Sequence, residues 1–136
     1  MKKLMRYAVM ALCFAAASAT QACGVCVEDK MAATYDHSLV TRALQRGHEV
    51  LFLEVVGAEP ANQAQWRFLV RTVEGISGVG RGSVRTSVAP PALSFEFDAS
   101  RASSATVLTR INDRLRKQQV KVELIRVVSR REMAAR

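Results

Sequence analysis

The chain has 136 residues, of which 49% are hydrophobic and 24% charged, so it is long enough for one domain with a core and is neither disordered nor low-complexity. Aromatic residues make up only 6%, which argues against a surface that stacks bases or sugars. A net charge of +8 from 20 basic and 12 acidic residues suggests nucleic acid, but the amino terminus changes that reading.

Lys2, Lys3 and Arg6 precede an apolar run over residues 7–17, and Ala17-Ser18-Ala19 fits the small-residue pattern that a signal peptidase reads. The run is too short for a membrane anchor, which needs about 20 apolar residues. The pattern predicts a cleaved export signal over residues 1–19, or 1–22 if cleavage follows Ala22, and places the protein in the periplasm. A lipoprotein anchored through Cys23 is the alternative, although Thr20 stands where such a site favours an apolar residue. Residues 1–19 hold three of the positive charges and no negative ones, so the mature chain carries +5.

Residues 27–46 read as one helix, because Val27, Met31, Tyr35, Leu39 and Ala43 recur every fourth position and Val40 and Leu44 widen the stripe. Glu28 and Asp29 suit its first turn, Arg46 its last, and Gly47 its end. The stretch EVLFLEVV at 49–56 is apolar on both alternating faces, as expected of a central strand covered on each side. Gly57 and Pro60 mark a turn into a helix over 61–75, with Trp66, Leu69, Val70 and Val73 inward. A strand follows over 79–88, weakened by Gly80 and Gly82. After Pro90-Pro91, Leu93, Phe95 and Phe97 alternate with Ser94, Glu96 and Asp98 in the next strand. Ser103 or Ser104 caps a helix reaching about residue 118, with Val107, Leu108, Ile111 and Leu115 inward. A last strand over 120–128 runs into a basic tail expected to fray.

The order after Gly47 is βαββαβ, which predicts an α+β protein of the ferredoxin-like class: an antiparallel four-stranded sheet with two helices on one face and an extra amino-terminal helix. The strand at 49–56 is apolar on its other face too, and the helix over 27–46 is expected to cover it. The organisation is then a signal at 1–19, a cysteine-bearing arm and helix at 20–47, a ferredoxin-like domain at 48–130 and a basic tail at 131–136.

From Gln65 onward the chain resembles the heavy-metal-associated (HMA) domain, a small copper-handling ferredoxin-like module. WRFLVRTVEGISGVGRGSVRTSV matches that family's first helix, Gly-Val turn and second strand; LSFEFD matches the third strand and SATVLTRINDRL the second helix. The resemblance spans about 70 residues. It implies a metal-binding fold, but the family's ligands do not carry over. The Met-x-Cys-x-x-Cys loop of the family falls on GAEPANQAQ, with Ala61 and Ala64 near its two cysteine positions. The chain therefore resembles a degenerate member whose fold alone supplies no metal site.

Cys23-Gly24-Val25-Cys26 is a displaced Cys-x-x-Cys beside a helix start, where unpaired amides and the helix dipole favour thiolate while Glu28 and Asp29 oppose it. Three readings stay open. Cys23 and Cys26 bind a soft metal such as Cu(I), with Met31 the nearest thioether that could join as a third ligand. Alternatively the pair cycles between dithiol and disulfide in a periplasmic thiol oxidoreductase. Thirdly it is an inert disulfide on an interaction scaffold, although so short a loop stabilises little. His37 lies eleven residues beyond Cys26, roughly 16 Å along a straight helix, and cannot share an ion with it. His48 could approach only through tertiary packing.

Arg67, Arg71, Arg81, Arg85, Arg110, Arg114, Arg116 and Lys117 make the later elements basic. The strand at 79–88 lacks the aromatics of an RNA-binding sheet, so no nucleic acid is expected. An acidic protein partner or an anionic membrane surface fits the charge better. No catalytic constellation stands out. GISGVGRG leaves a helix instead of entering one and is a turn, not a phosphate loop. The sequence thus points to an exported, non-catalytic protein that binds or passes a soft metal.

Overall fold

The computed structural model describes the backbone of residues 22–135 and the side chains of residues 27–135. The export signal expected at 1–19 lies outside these residues.

Two helices, α1 (Ala22–Thr34) and α2 (His37–Gln45), stand where the apolar stripe over 27–46 predicts one, and α1 takes in Cys23 and Cys26, which the sequence pattern places on an arm ahead of the helix. The break is built by Asp36, whose extended backbone ends one helix and whose side chain caps the next by accepting from Leu39 N at 3.0 Å. Splitting the helix redirects the stripe. Leu39, Val40 and Ala43 are buried and Met31 half-buried, whereas Val27 and Tyr35 are exposed.

The remaining order is β1 (Glu49–Val56), α3 (Gln63–Glu74), β2 (Arg85–Val88), β3 (Pro91–Phe97), α4 (Ser104–Leu115), a short 3-10 turn at Arg116–Gln118, β4 (Lys121–Val128) and α5 (Arg130–Ala134). The strands form one antiparallel sheet in the order β2-β3-β1-β4, with the two outer strands each reached through a helix. This is the ferredoxin-like arrangement, α+β, and the fold class expected from the sequence.

Two boundaries differ from expectation. The strand predicted over 79–88 is paired only from Arg85, because Gly82 adopts a positive φ and the chain turns at 80–84; Val79 keeps a single bridge to Phe97. The segment expected to fray instead includes α5, capped by Ser129 and held by Arg130 donating to the Gln45 carbonyl at 3.0 Å.

Strand β1 is covered on both faces. Leu51, Leu53 and Val55 point into the main core with Leu69 and Val73 of α3 and Val107, Ile111 and Leu115 of α4. Val50 and Phe52 point the other way, against Leu39, Val40 and Ala43 of α2. At about 1.5–3 kcal/mol for each large side chain buried, the second cluster is reason enough for α2 to dock there. Helix α1 lies beside it, over β2, β3 and β1. The expectation that the amino-terminal segment covers the open face holds, with two helices sharing the task.

Candidate functional site

Cys23 and Cys26 are the second and fifth residues of α1, three residues apart and so on one face of a helix. The course of α1 fixes where that pair stands. Ser94 Oγ on β3 donates to the Thr34 carbonyl at 2.8 Å, and Lys30 Nζ reaches Glu54 Oε1 on β1 at 2.6 Å. From Thr34 back to Lys30 the helix therefore advances toward the end of the sheet where β1 finishes at Val56. Cys26 and Cys23 follow about 6 and 10 Å further along the axis. The cysteine turn thus stands toward the end of the sheet from which the β1–α3 connection leaves.

That connection is empty of soft ligands. Ala61 and Ala64, which align with the family's cysteine positions, are both exposed. The connection is instead fixed by polar contacts: Asn62 caps α3 by accepting from Gln65 N at 3.0 Å, and Trp66 Nε1 donates to the Glu59 carbonyl at 3.1 Å.

The other sequence candidates are dispersed. Met31 sits half-buried against the α2-side cluster. His37 opens α2 and is exposed. His48 is drawn to a different place, with Nδ1 2.7 Å from Glu96 Oε1 and Nε2 4.0 Å from Asp98 Oδ2. Among the described residues no group of three or more His, Cys, Asp or Glu side chains converges to hold a metal ion.

The Glu96 cluster is a polar site that the sequence conceals. Alternation along β3 marks Glu96 and Ser94 as solvent-facing, yet both are buried, because α1 and α2 cover that face. Glu96 Oε1 accepts from His48 Nδ1 and from Arg46 Nη1 at 3.3 Å, and its backbone N–H donates to Ser83 Oγ at 3.1 Å. With Glu96 ionised, His48 carries its hydrogen on Nδ1. Asp98, nearby, accepts from Ser100 Oγ at 2.6 Å and from Ser100 N–H at 3.0 Å. These bonds, the hydroxyl first, hold its carboxyl below the usual range, with the charges of His48 and Arg101 adding. Among the described residues no buried side-chain polar atom lacks a hydrogen-bond partner, which marks the cluster as a device of folding. The sequence signal that could have found it is the second apolar face of β1, which requires a cover and hence buries its neighbours on β3.

No family model matches the chain. No curated protein matches it. Among solved structures the chain is similar to a copper binding domain from HMA7, a P-type ATPase. The identity is 14% and the TM-score 0.45, over 56% of this chain and 92% of that one. The ferredoxin-like assignment rests on the strand order and connections themselves.

Proposed function

We propose that the protein binds a soft metal ion, Cu(I) or one like it, through Cys23 and Cys26 and passes it on without catalysing a reaction. The observation that carries this reading is the helical spacing of the two cysteines near the amino-terminal end of the described part of α1. Residues three apart on a helix have Cβ atoms about 5–6 Å apart, so two thiolates can close on one ion. Thiolate pairs select soft ions, Cu(I) among them.

The surroundings add support. Backbone and ion-pair contacts carry the cysteine turn toward the sheet end where the β1–α3 connection leaves, and that connection offers no soft donor of its own. An ion held by only two protein ligands keeps coordination positions open to a receiving protein, which suits transfer better than storage. Export through the signal at residues 1–19 places this activity in the periplasm and removes Cys13 from the mature chain.

Anaerobic titration of Cu(I) into reduced mature protein, in competition with a chromogenic chelator, tests the proposal. One equivalent should bind, and the Cys23→Ser/Cys26→Ser variant should lose it. Equal, weak uptake by both proteins refutes the reading. A thiol oxidoreductase is the other use of the same pair. A Cys23–Cys26 disulfide potential well above that of structural bridges, together with absent Cu(I) uptake, selects it.

A further inference from the structure

The charges of this protein are distributed unevenly between its two faces. On the α1/α2 side most basic groups are paired internally, Lys30 with Glu54, Arg46 with Glu96 and Arg85 with Asp36, and Arg42 of α2 is left without a carboxylate within 4.0 Å among the described residues. The layer of α3 and α4, with its 3-10 extension, differs. Arg67, Arg71, Arg110, Arg114 and Lys117 have no carboxylate within 4.0 Å among the described residues. Only Glu74 and Asp113 bring negative charge to the layer, and Asp113 is held by Arg116 at 2.6 Å.

The unpaired cations frame a groove between the two helices. Its volume is about 640 Å³, with Phe68 and Thr72 from α3 in its lining, Arg71, Arg114 and Lys117 around them, and the carboxylate of Asp113, paired with Arg116, at its edge. Phe68 packs partly into the main core beneath, so its placement is fixed by folding and not by a ligand. Arg114 is steadied by donating to the Gly75 carbonyl at 3.3 Å. A second depression of about 350 Å³ shares Arg71 and adds Trp66, Arg67, Val70 and Thr86.

We infer that this groove docks an acidic polypeptide segment of a partner protein. Three cations against one carboxylate that Arg116 already neutralises, around a partly apolar floor, match a chain that carries carboxylates beside an aliphatic or aromatic side chain. A membrane is disfavoured by the same surface. The large exposed apolar residues are Val27, Tyr35, Val56, Val88, Leu124 and Met133, and none of them belongs to α3 or α4. The layer can attract anionic headgroups but has nothing to insert among them. Nucleic acid is disfavoured because the layer has only two aromatics, Trp66 buried and Phe68 half-buried at the groove floor, and so no run of exposed rings on which successive bases could stack. Docking here leaves the cysteine turn of α1 uncovered, since α1 lies on the opposite face of the sheet.

The test is fluorescence anisotropy of a fluorescein-labelled deca-glutamate peptide carrying one central leucine, titrated with the mature chain at low salt. Saturable binding is expected, with Arg71→Glu/Arg114→Glu/Lys117→Glu weakening it at least about tenfold and Arg126→Glu/Arg131→Glu changing it less than about twofold. Circular dichroism verifies the fold of each variant, and Arg71→Ala/Lys117→Ala gives a second, milder reading of the same site. Equal binding by wild type and both groove variants, or equal loss in the control, overturns the inference. Tighter groove-dependent binding of vesicles containing phosphatidylserine, or of single-stranded DNA, also overturns it in favour of those ligands.

Discussion

Lys30 Nζ lies 2.6 Å from Glu54 Oε1, and this contact ties the cysteine-bearing helix to the central strand. It also resolves a conflict within the sheet. Glu54 stands directly opposite Glu123 in the β1–β4 register, where like charges repel. Lys121, two positions before Glu123 on the same strand, pairs with it at 2.7 Å. The Glu123 carboxyl is held below its usual range by that hydrogen bond first and by the Lys121 charge next, with Lys30 contributing from α1. One lysine from a helix and one from a strand thus neutralise two carboxylates that share a rung.

Replacing Lys30 with methionine keeps the aliphatic stem and removes the charge. The lysine side chain is only 14% exposed, so the lost pair is partly desolvated and leaves Glu54 facing Glu123. The expected cost is about 1–2 kcal/mol, between an exposed ion pair and a charged hydrogen bond. Because the pair is the anchor of α1, hydrogen exchange at the α1 amides should accelerate by roughly 5–30-fold, the equilibrium factor for that energy. Unchanged protection in α1 would show that the helix is held by its apolar contacts alone.

Asp36 gives the protein a defined acid response. Its carboxylate accepts from Leu39 N, Ser38 Oγ and Arg85 Nε, and these bonds, the backbone one first, lower its pKa from 3.8 to about 2. A carboxyl depressed in the folded state stabilises the fold above its unfolded value and loses that contribution as pH falls through the folded one. The loss therefore runs from about 3.8 down to about 2. Asn at this position still caps α2 but cannot titrate. The urea midpoint of Asp36→Asn plotted against pH should fall less steeply than that of wild type over this window. Asp98 and Glu123 keep part of the slope, since both are also lowered. Parallel curves would remove Asp36 from the acid response.

Glu96 makes the opposite demand, for it is a buried carboxylate that needs cations. Its side chain is 7% exposed, against 28% for His48 and 60% for Arg46. His48→Ala leaves Glu96 with the looser, more exposed Arg46 as its only cation within 4.0 Å. A loss of about 1–3 kcal/mol is expected in denaturant unfolding, the scale for a hydrogen bond to a charged group. The double variant His48→Ala/Glu96→Gln should recover part of that loss, because the uncompensated charge goes with its partner. Additive losses in the two single variants would show that the residues act independently.

Much of the fold is legible in the sequence because it is written in local signals. The period of β1, the Ser103 cap and the alternation of Leu93, Phe95 and Phe97 each declare an element from its own residues. What escapes is set by tertiary packing. The helix break at Tyr35-Asp36 is hidden because the stripe from Val27 to Ala43 continues through it in phase. The shortening of β2 depends on Gly82 turning the chain, and glycine in a strand pattern reads equally as a weak strand. The Glu96 cluster is the largest omission. Glu96 looks solvent-facing along its own strand and becomes buried only when α1 and α2 arrive from residues about fifty positions away. The candidate metal ligands are legible as a spacing, Cys23 to Cys26, whereas the end of the sheet they approach follows from Lys30 and Thr34, whose partners no local pattern predicts.

Gly57 and Gly47 make a paired test of how tightly the β1–α3 connection is built. Both have positive φ, +84° and +77°, where an added side chain strains the backbone. Around Gly47 nothing lies within 4 Å of a new Cβ, so Gly47→Ala should cost only the backbone term, about 1–2 kcal/mol. At Gly57 the new Cβ would run into the backbone carbonyl of Gln119, which is itself left-handed at φ 57° and leads into β4. A main-chain atom cannot rotate away as a side chain can, so an overpacking cost of similar size is added. Gly57→Ala should therefore lose about 2–5 kcal/mol. The connection would have to pull back from Gln119, disturbing the bond from Gln65 Nε2 to the Gln118 carbonyl at 3.2 Å. Urea unfolding of the two variants side by side measures the difference. Equal losses would mean that the connection yields freely and that the close approach of Gly57 to Gln119 contributes nothing to holding the sheet end toward which the cysteine turn extends.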